Sequence, residues 1–294
     1  MPWPYALLHG VVAGVLGGVA FLAGRGRPRV ARAIAAGILA AGVPLQALLA
    51  AHPWALARAT GWADVVFFAE AWLHLAAVLL AAGVQAQPAE RPGVRRRTAA
   101  LGAVAVGLAA ATLPWRAPAD LGLGAGFVDP DGVVRQSLHT TCAPAAAATL
   151  VRALAVDPRA TERDLAAHCL TDLRLGTSEL GLYRGLRLAA PDREVEVLKL
   201  DLAGLRALGR PALLVVRLER TRARDPALFA TLRDECGWIE DVPHAVVWFG
   251  AAPARAGEAT GYAVIGDPSA GLERWRFDHL AALWTGVALT VRGG

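Results

Sequence analysis

The chain has 294 residues, 55% of them hydrophobic, and a formal net charge of +5. The charge is uneven: residues 1–115 carry nine arginines against Asp64, Glu70 and Glu90, whereas residues 116–294 carry twenty-one basic and twenty-two acidic residues. The basic excess therefore belongs to the first part, and the second lacks the basic face that a nucleic-acid-binding domain needs.

Four apolar runs fill the first part, at about 5–24, 33–51, 62–84 and 98–113. A helix rises about 1.5 Å per residue and a bilayer core is about 30 Å thick, so about 20 apolar residues span it. On this count the runs predict an all-α transmembrane bundle of four helices over residues 1–115. Pro44 and Gln46 interrupt the second run, and the fourth is short. Arg25, Arg27, Arg29 and Arg32 follow the first run, and Arg91, Arg95, Arg96 and Arg97 follow the third, whereas Arg58 stands alone after the second. Basic short loops stay in the cytoplasm. The expectation is a multi-pass protein of the bacterial cell membrane, in contact with membrane lipid, with its C-terminal part extracytoplasmic. Glu70 and His74, four apart, share a helix face. They read as a packing pair near the interface, or as groups that hold a substrate or partner peptide.

Residues 116–126 read as a linker ending in LGLGAG. That stretch does not fit a dinucleotide fingerprint, because Phe127 stands where a glycine is needed, and the only lysine, Lys199, follows a leucine and so completes no Walker A motif. No nucleotide, cofactor or metal site is predicted.

Residues 127–294 mix helices and strands. Pro144–Val156 is an Ala/Leu helix, Thr161 caps a second helix through Cys169, and Ser178–Leu188 is a third. Period-two alternation in REVEVLKL (193–200) predicts a strand, and PALLVVRL (211–218) a more buried one. Asp225–Cys236 reads as helical, HAVVWFG (244–250) and YAVIGD (262–267) as adjacent strands, LERWRF as a strand, DHLAALW as a short helix and GVALTVR as the last strand. Helices first and antiparallel strands after is an α+β domain.

Cys142 sits at the start of the Ala-rich helix, because Pro144 belongs in a first helical turn. Unpaired N–H groups and the helix dipole there favour a thiolate and can receive an oxyanion. A small inert core residue is the bland reading. Of the seven histidines, His244 opens an apolar strand where Val or Ile is expected, and Asp267 ends the next one. On adjacent antiparallel strands the two can meet as base and orienting group. A satisfied core histidine and a turn residue before Pro268 are the alternatives. Gln136, six residues before Cys142, can donate an amide to an oxyanion.

Gln-x5-Cys at a helix start, then a distant His on a strand, then Asp, resembles the order in papain-like cysteine peptidases. The stretches GVVRQSLHTTCAPAAAATLVRAL, GTSELGLYRGLR, PHAVVWFG and GDPSAGLERWRF with LWTG are similar to the bacteriocin-processing, or double-glycine-leader, peptidases, the thirty-ninth cysteine-peptidase family. The resemblance covers about residues 127–294. It implies a papain-like domain with Cys142 as nucleophile, His244 as general base and acid, Asp267 as its orienting group and Gln136 as oxyanion donor. Ala143 departs from the pattern, which has glycine after the cysteine. The expected function is a membrane-anchored extracytoplasmic cysteine peptidase acting on an exported peptide or protein. An amidase or acyltransferase using the same thiol, and a non-catalytic peptide-binding membrane protein, remain open. Cys169 and Cys236 either pair as a disulfide, leaving Cys142 free, or are two buried thiols.

Overall fold

The structure is a computed structural model. It describes residues 16–17, 20–21, 27–42, 52–63, 66, 72–87, 92–94, 96–100, 102, 123, 126–172, 175–254 and 261–292. The chain divides into two compact units, residues 1–56 with 64–119, and residues 57–63 with 120–294.

The first unit corrects the expected architecture. Among the described residues, no helix is long and apolar enough to cross a membrane. Helix α1 is Pro28–Gly37, running on as one π-helical stretch, Ile38–Gly42. Helix α2 is Pro53–Thr60, whose residues 57–60 are grouped with the second unit, and α3 is Trp72–Ala86. Both α1 and α2 start at prolines, which pre-set a first helical turn, and they begin inside segments read from the sequence as loops. The four-helix transmembrane bundle is therefore not what these residues form. The multi-pass membrane location, the extracytoplasmic placement and the lipid contact that depended on it fall with it. Asp64 and Glu70 lie outside the described residues, and His74 lies within α3.

The second unit is built around one sheet. Strands β1 (Phe127–Val128) and β2 (Val134–Arg135) form a small hairpin. Helices α4 (Cys142–Ala153), α5 (Glu162–His168) and α6 (Glu179–Ala189) follow. Then come β3 (Val195–Lys199), α7 (Leu202–Ala207), β4 (Ala212–Val216), α8 (Pro226–Ala230) with a π-helical stretch to Glu235, β5 (His244–Ala252), β6 (Tyr262–Asp267), β7 (Gly271–Arg276), α9 (Phe277–Leu283) and β8 (Trp284–Val291). The six-stranded sheet has the order β3-β8-β4-β5-β6-β7, antiparallel throughout.

Both faces of the sheet are covered. Leu214, Val216, Val246, Trp248 and Ile265 pack with Leu205, Phe229, Leu280, Leu283 and Trp284 in one core. The alternate positions Leu213, Val215, Ala245 and Val247 lie on the other face by the period of two, and α4 packs against β4, β5 and β6. Ala145, Ala146, Ala147 and Ala148 of α4 are all fully buried. Their short side chains let the helix axis approach the strands closely, which brings its N-terminus over the start of β5.

Cys169 and Cys236 are not joined: all three cysteines are free, Cys169 buried and Cys236 exposed. Cys169 lies where α5 meets α6, under Gly185. A Cβ at Gly185 would stand 2.1 Å from the Cys169 sulfur.

Candidate active site

Cys142 is the first residue of α4, half-buried, after Thr141 at the cap position. The loop before it is pinned on two sides. Ser137 donates its N–H (2.8 Å) and its hydroxyl (2.5 Å) to the buried Glu162 carboxylate. Arg135 Nε donates to Pro268 O at 3.1 Å, its guanidinium also reaches Ser269 O, and the Gln136 N–H donates to Pro268 O at 3.0 Å. The segment leading to Cys142 is thereby strapped to the turn that follows Asp267. Gly271 closes that turn at φ +102°, where a Cβ would stand 3.0 Å from both Arg135 and Asp129. Only glycine fits both the dihedral and the space.

The sheet supplies the other two groups. Val247 pairs with Gly266 across β5 and β6, so the start of β5 and the end of β6 lie at the same end of the sheet. There His244 Nε2 lies 2.9 Å from Asp267 Oδ1. The same Oδ1 accepts the Ser269 N–H at 2.7 Å and the Ser269 hydroxyl at 2.6 Å. His244 also hydrogen-bonds the Cys142 thiol. Nε2 is committed to Asp267, so the thiol falls to Nδ1. The edge of Trp238 closes over the imidazole, with ring centroids 5.8 Å apart and planes at 71°, and Trp275 packs on Trp238 in the same fashion at 5.5 Å.

The electrostatics follow from this contact. Burial pushes the Cys142 thiol up, but the His244 hydrogen bond and charge, with the Ala245 and Ala143 N–H groups, hold it below the usual thiol range. Burial pushes His244 down, but its hydrogen bonds and charge contacts with Asp267 and Cys142 raise it to about 10. Burial pushes Asp267 up, while His244 and Ser269 hold it below the usual carboxylate range. All three shifts favour a thiolate–imidazolium pair backed by a carboxylate. In contrast, burial pushes Cys169 up to about 12. Burial also raises Cys236, with Glu235 and Glu273 adding to the rise.

Two cavities meet at His244. One of about 440 Å3 is lined by Cys142, Ala143, Leu175, Glu179, Leu182, Val215, Arg217 and Ala245. The other, about 640 Å3, is lined by Gln136, Asp267, Trp238, Trp275 and Glu273 among others. His139, Val242 and Pro243 line both. Of the residues singled out in the sequence, Cys142, His244 and Asp267 are brought together in one hydrogen-bonded line. Gln136 lies in the adjoining cavity, its Nε2 donating to Leu138 O at 3.0 Å and its Oε1 buried with no partner among the described residues. Nε2 carries a second hydrogen.

The chain is similar to peptidase domains of double-glycine-protease transporters. The peptidase domain of Streptococcus ComA, a bi-functional ABC transporter involved in a quorum-sensing pathway, has 18% identity and a TM-score of 0.40, over 55% of this chain and 97% of that one. The peptidase domain of Streptococcus mutans ComA has 19% identity and a TM-score of 0.32, over 55% and 98%. A double glycine motif protease from an AMS/PCAT transporter, solved in complex with its leader peptide, has 17% identity and a TM-score of 0.38, over 58% and 97%. No family model and no curated protein matches the chain. Identities below 20% and TM-scores of 0.40 and under carry no residue's role across.

Sequence reasoning missed Ser269, Trp238, Glu179 and the Arg135 strap. Ser269 had a signal, because Asp-Pro-Ser is a turn in which the third residue's N–H returns to the aspartate side chain. Trp238 and Glu179 had none, since neither stands at a spacing tied to Cys142 or His244.

Proposed function

We propose that the protein is a cysteine peptidase in which Cys142, His244 and Asp267 act as nucleophile, proton carrier and orienting group. The Cys142 thiolate attacks a peptide carbonyl carbon, a C–S bond forms, and the carbonyl oxygen takes the negative charge. The Cys142 N–H at the head of α4 and the second Nε2 hydrogen of Gln136 receive that oxygen. As the C–N bond breaks, imidazolium His244 gives its proton to the leaving amine. Neutral His244 then takes a proton from water, whose oxygen attacks the thioester. The acid leaves and the thiolate–imidazolium pair returns. Asp267 keeps the ring oriented and stabilises its charge throughout.

The observation that carries this reading is the unbroken line from the thiol at a helix N-terminus, through His244, to a carboxylate satisfied by Ser269. A structural cysteine needs neither a charged partner nor an orienting acid behind it. Ala143 lines the same cavity as Cys142, and its N–H is hydrogen-bonded to the sulfur. The double-glycine resemblance proposes cleavage after small residues such as Gly-Gly, on the acyl side of the scissile bond.

The test is turnover of peptides by the full-length protein, with products read by mass. Hydrolysis should leave a new carboxylate and amine, and Cys142→Ala should abolish it. Product in which the acyl group has moved to another amine would point to a transferase instead. Peptide bound equally by parent and Cys142→Ser, with no turnover by the parent, would leave only a binding domain.

A further inference from the structure

The cavity beside Cys142 holds more than the triad uses. One wall is the segment that enters α6, with Leu175, Thr177, Ser178 and Glu179, and the other is the end of β4 with Val215 and Arg217. Glu179 opens α6 but does not cap it, since Ser178 accepts the Gly181 N–H. Arg217 is held by Glu219 at 3.5 Å. The Glu179 carboxylate has no hydrogen-bond or ion-pair partner among the described residues. Burial pushes its carboxyl up while Arg217 pulls it back. A half-buried carboxylate thus stands on the wall of the cavity that Cys142 also lines, with its oxygens still open to an incoming group. A ligand that brings a charged donor there would gain a charge-assisted hydrogen bond.

We propose that Glu179 is a specificity residue that receives a lysine or arginine side chain of the peptide substrate, next to the bond that Cys142 attacks. The inference rests on the peptidase reading and adds to it. A cavity of about 440 Å3 has room for a long side chain, which a cleft fitted to glycines alone would not need. Arg217 opposes an incoming cation, but its charge is directed to Glu219. The preference should therefore be modest, about tenfold, at the lower end of a charge-assisted hydrogen bond in a partly solvated site.

The test separates binding from turnover. Peptides that differ only in carrying lysine or norleucine at single positions on either side of the scissile bond are titrated against full-length Cys142→Ala, alone and combined with Glu179→Gln. Lysine should bind about tenfold tighter than norleucine at one position, and Glu179→Gln should bring the ratio close to one. The same ratio should appear in kcat/KM when the parent cleaves the peptides, while Glu179→Gln leaves the alkylation rate of Cys142 unchanged. An equal affinity for both peptides, or a ratio that survives Glu179→Gln, overturns the proposal. A lysine preference that depends on Glu179 in a parent that cleaves nothing keeps this site and overturns the peptidase reading alone.

Discussion

Asp267 Oδ1 accepts three hydrogen bonds, from His244 Nε2, the Ser269 N–H and the Ser269 hydroxyl. That concentration fixes the carboxylate, and the fixed carboxylate fixes the ring that meets the sulfur. The pH behaviour follows. Cys142 titrates below the usual thiol range and His244 at about 10. As pH falls through the lowered Cys142 value, the thiolate is protonated, and both alkylation and peptide cleavage should fall. As pH rises through about 10, His244 loses the proton that the leaving amine needs, so cleavage should fall while alkylation does not. Asp267→Asn should narrow this plateau from the alkaline side, because His244 loses the partner that raises it, and cut kcat/KM about a hundredfold. Limbs that stay in place in Asp267→Asn would mean the carboxylate does not act on the ring. Gln136→Ala separates the oxyanion role from the ion pair. It should lower kcat about a hundredfold and leave the pH profile of alkylation untouched, and a shifted profile would assign Gln136 a positioning role instead.

At the scale of elements, α5 and α6 meet with no spare space. A Cβ at Gly185 would stand 2.1 Å from the Cys169 sulfur but an ordinary 3.4 Å from its Cα and Cβ. The clash is thus with one atom, and it defines a double-mutant cycle. Gly185→Ala alone should destabilise by about 1–3 kcal/mol through overpacking, read by urea denaturation. Cys169→Ala removes the sulfur, so the double variant should recover most of that loss, a coupling that additivity forbids. Additive losses would mean the helices separate for another reason. The strands of this unit were legible because their alternation is a two-residue signal: YAVIGD is β6 residue for residue, and HAVVWFG is β5 with two residues more at its end. Thr161 and Ser178 were legible as helix starts for the same local reason, and both caps form. The strap from Arg135 to Pro268 and Ser269 was not legible, because it joins residues more than a hundred positions apart with no pattern that marks either end.

Over the whole molecule, the first unit misled because hydropathy counts apolar residues without saying where helices begin. Pro28 and Pro53 begin them inside segments read as loops, and the 15 residues of α3 end at Ala86. The grouping of Cys142, His244 and Asp267 in the second unit was legible because a thiolate needs a cation and a cation needs an anion, so few residues could complete the set. What the sequence could not state is that the reactivity proposed for Cys142 depends on the fold: His244 is about a hundred residues away along the chain. This gives a whole-molecule test at pH 6, where an ordinary thiol of pKa about 8.5 is almost wholly protonated. In the native protein Cys142 should be alkylated first, and the exposed Cys236 slowly because its thiol is raised. Cys169, fully buried and pushed to about 12, should not react. Unfolding should then act with opposite signs, slowing Cys142 to the rate of an ordinary thiol and speeding Cys169 to the same rate. Alkylation followed by mass spectrometry across a urea gradient reads all three cysteines at once. If the two rates converge at one midpoint, the ion pair and the α5–α6 packing belong to one cooperative unit. If Cys142 slows at a lower urea concentration than the one that exposes Cys169, the end of the sheet carrying His244 opens before the helices part.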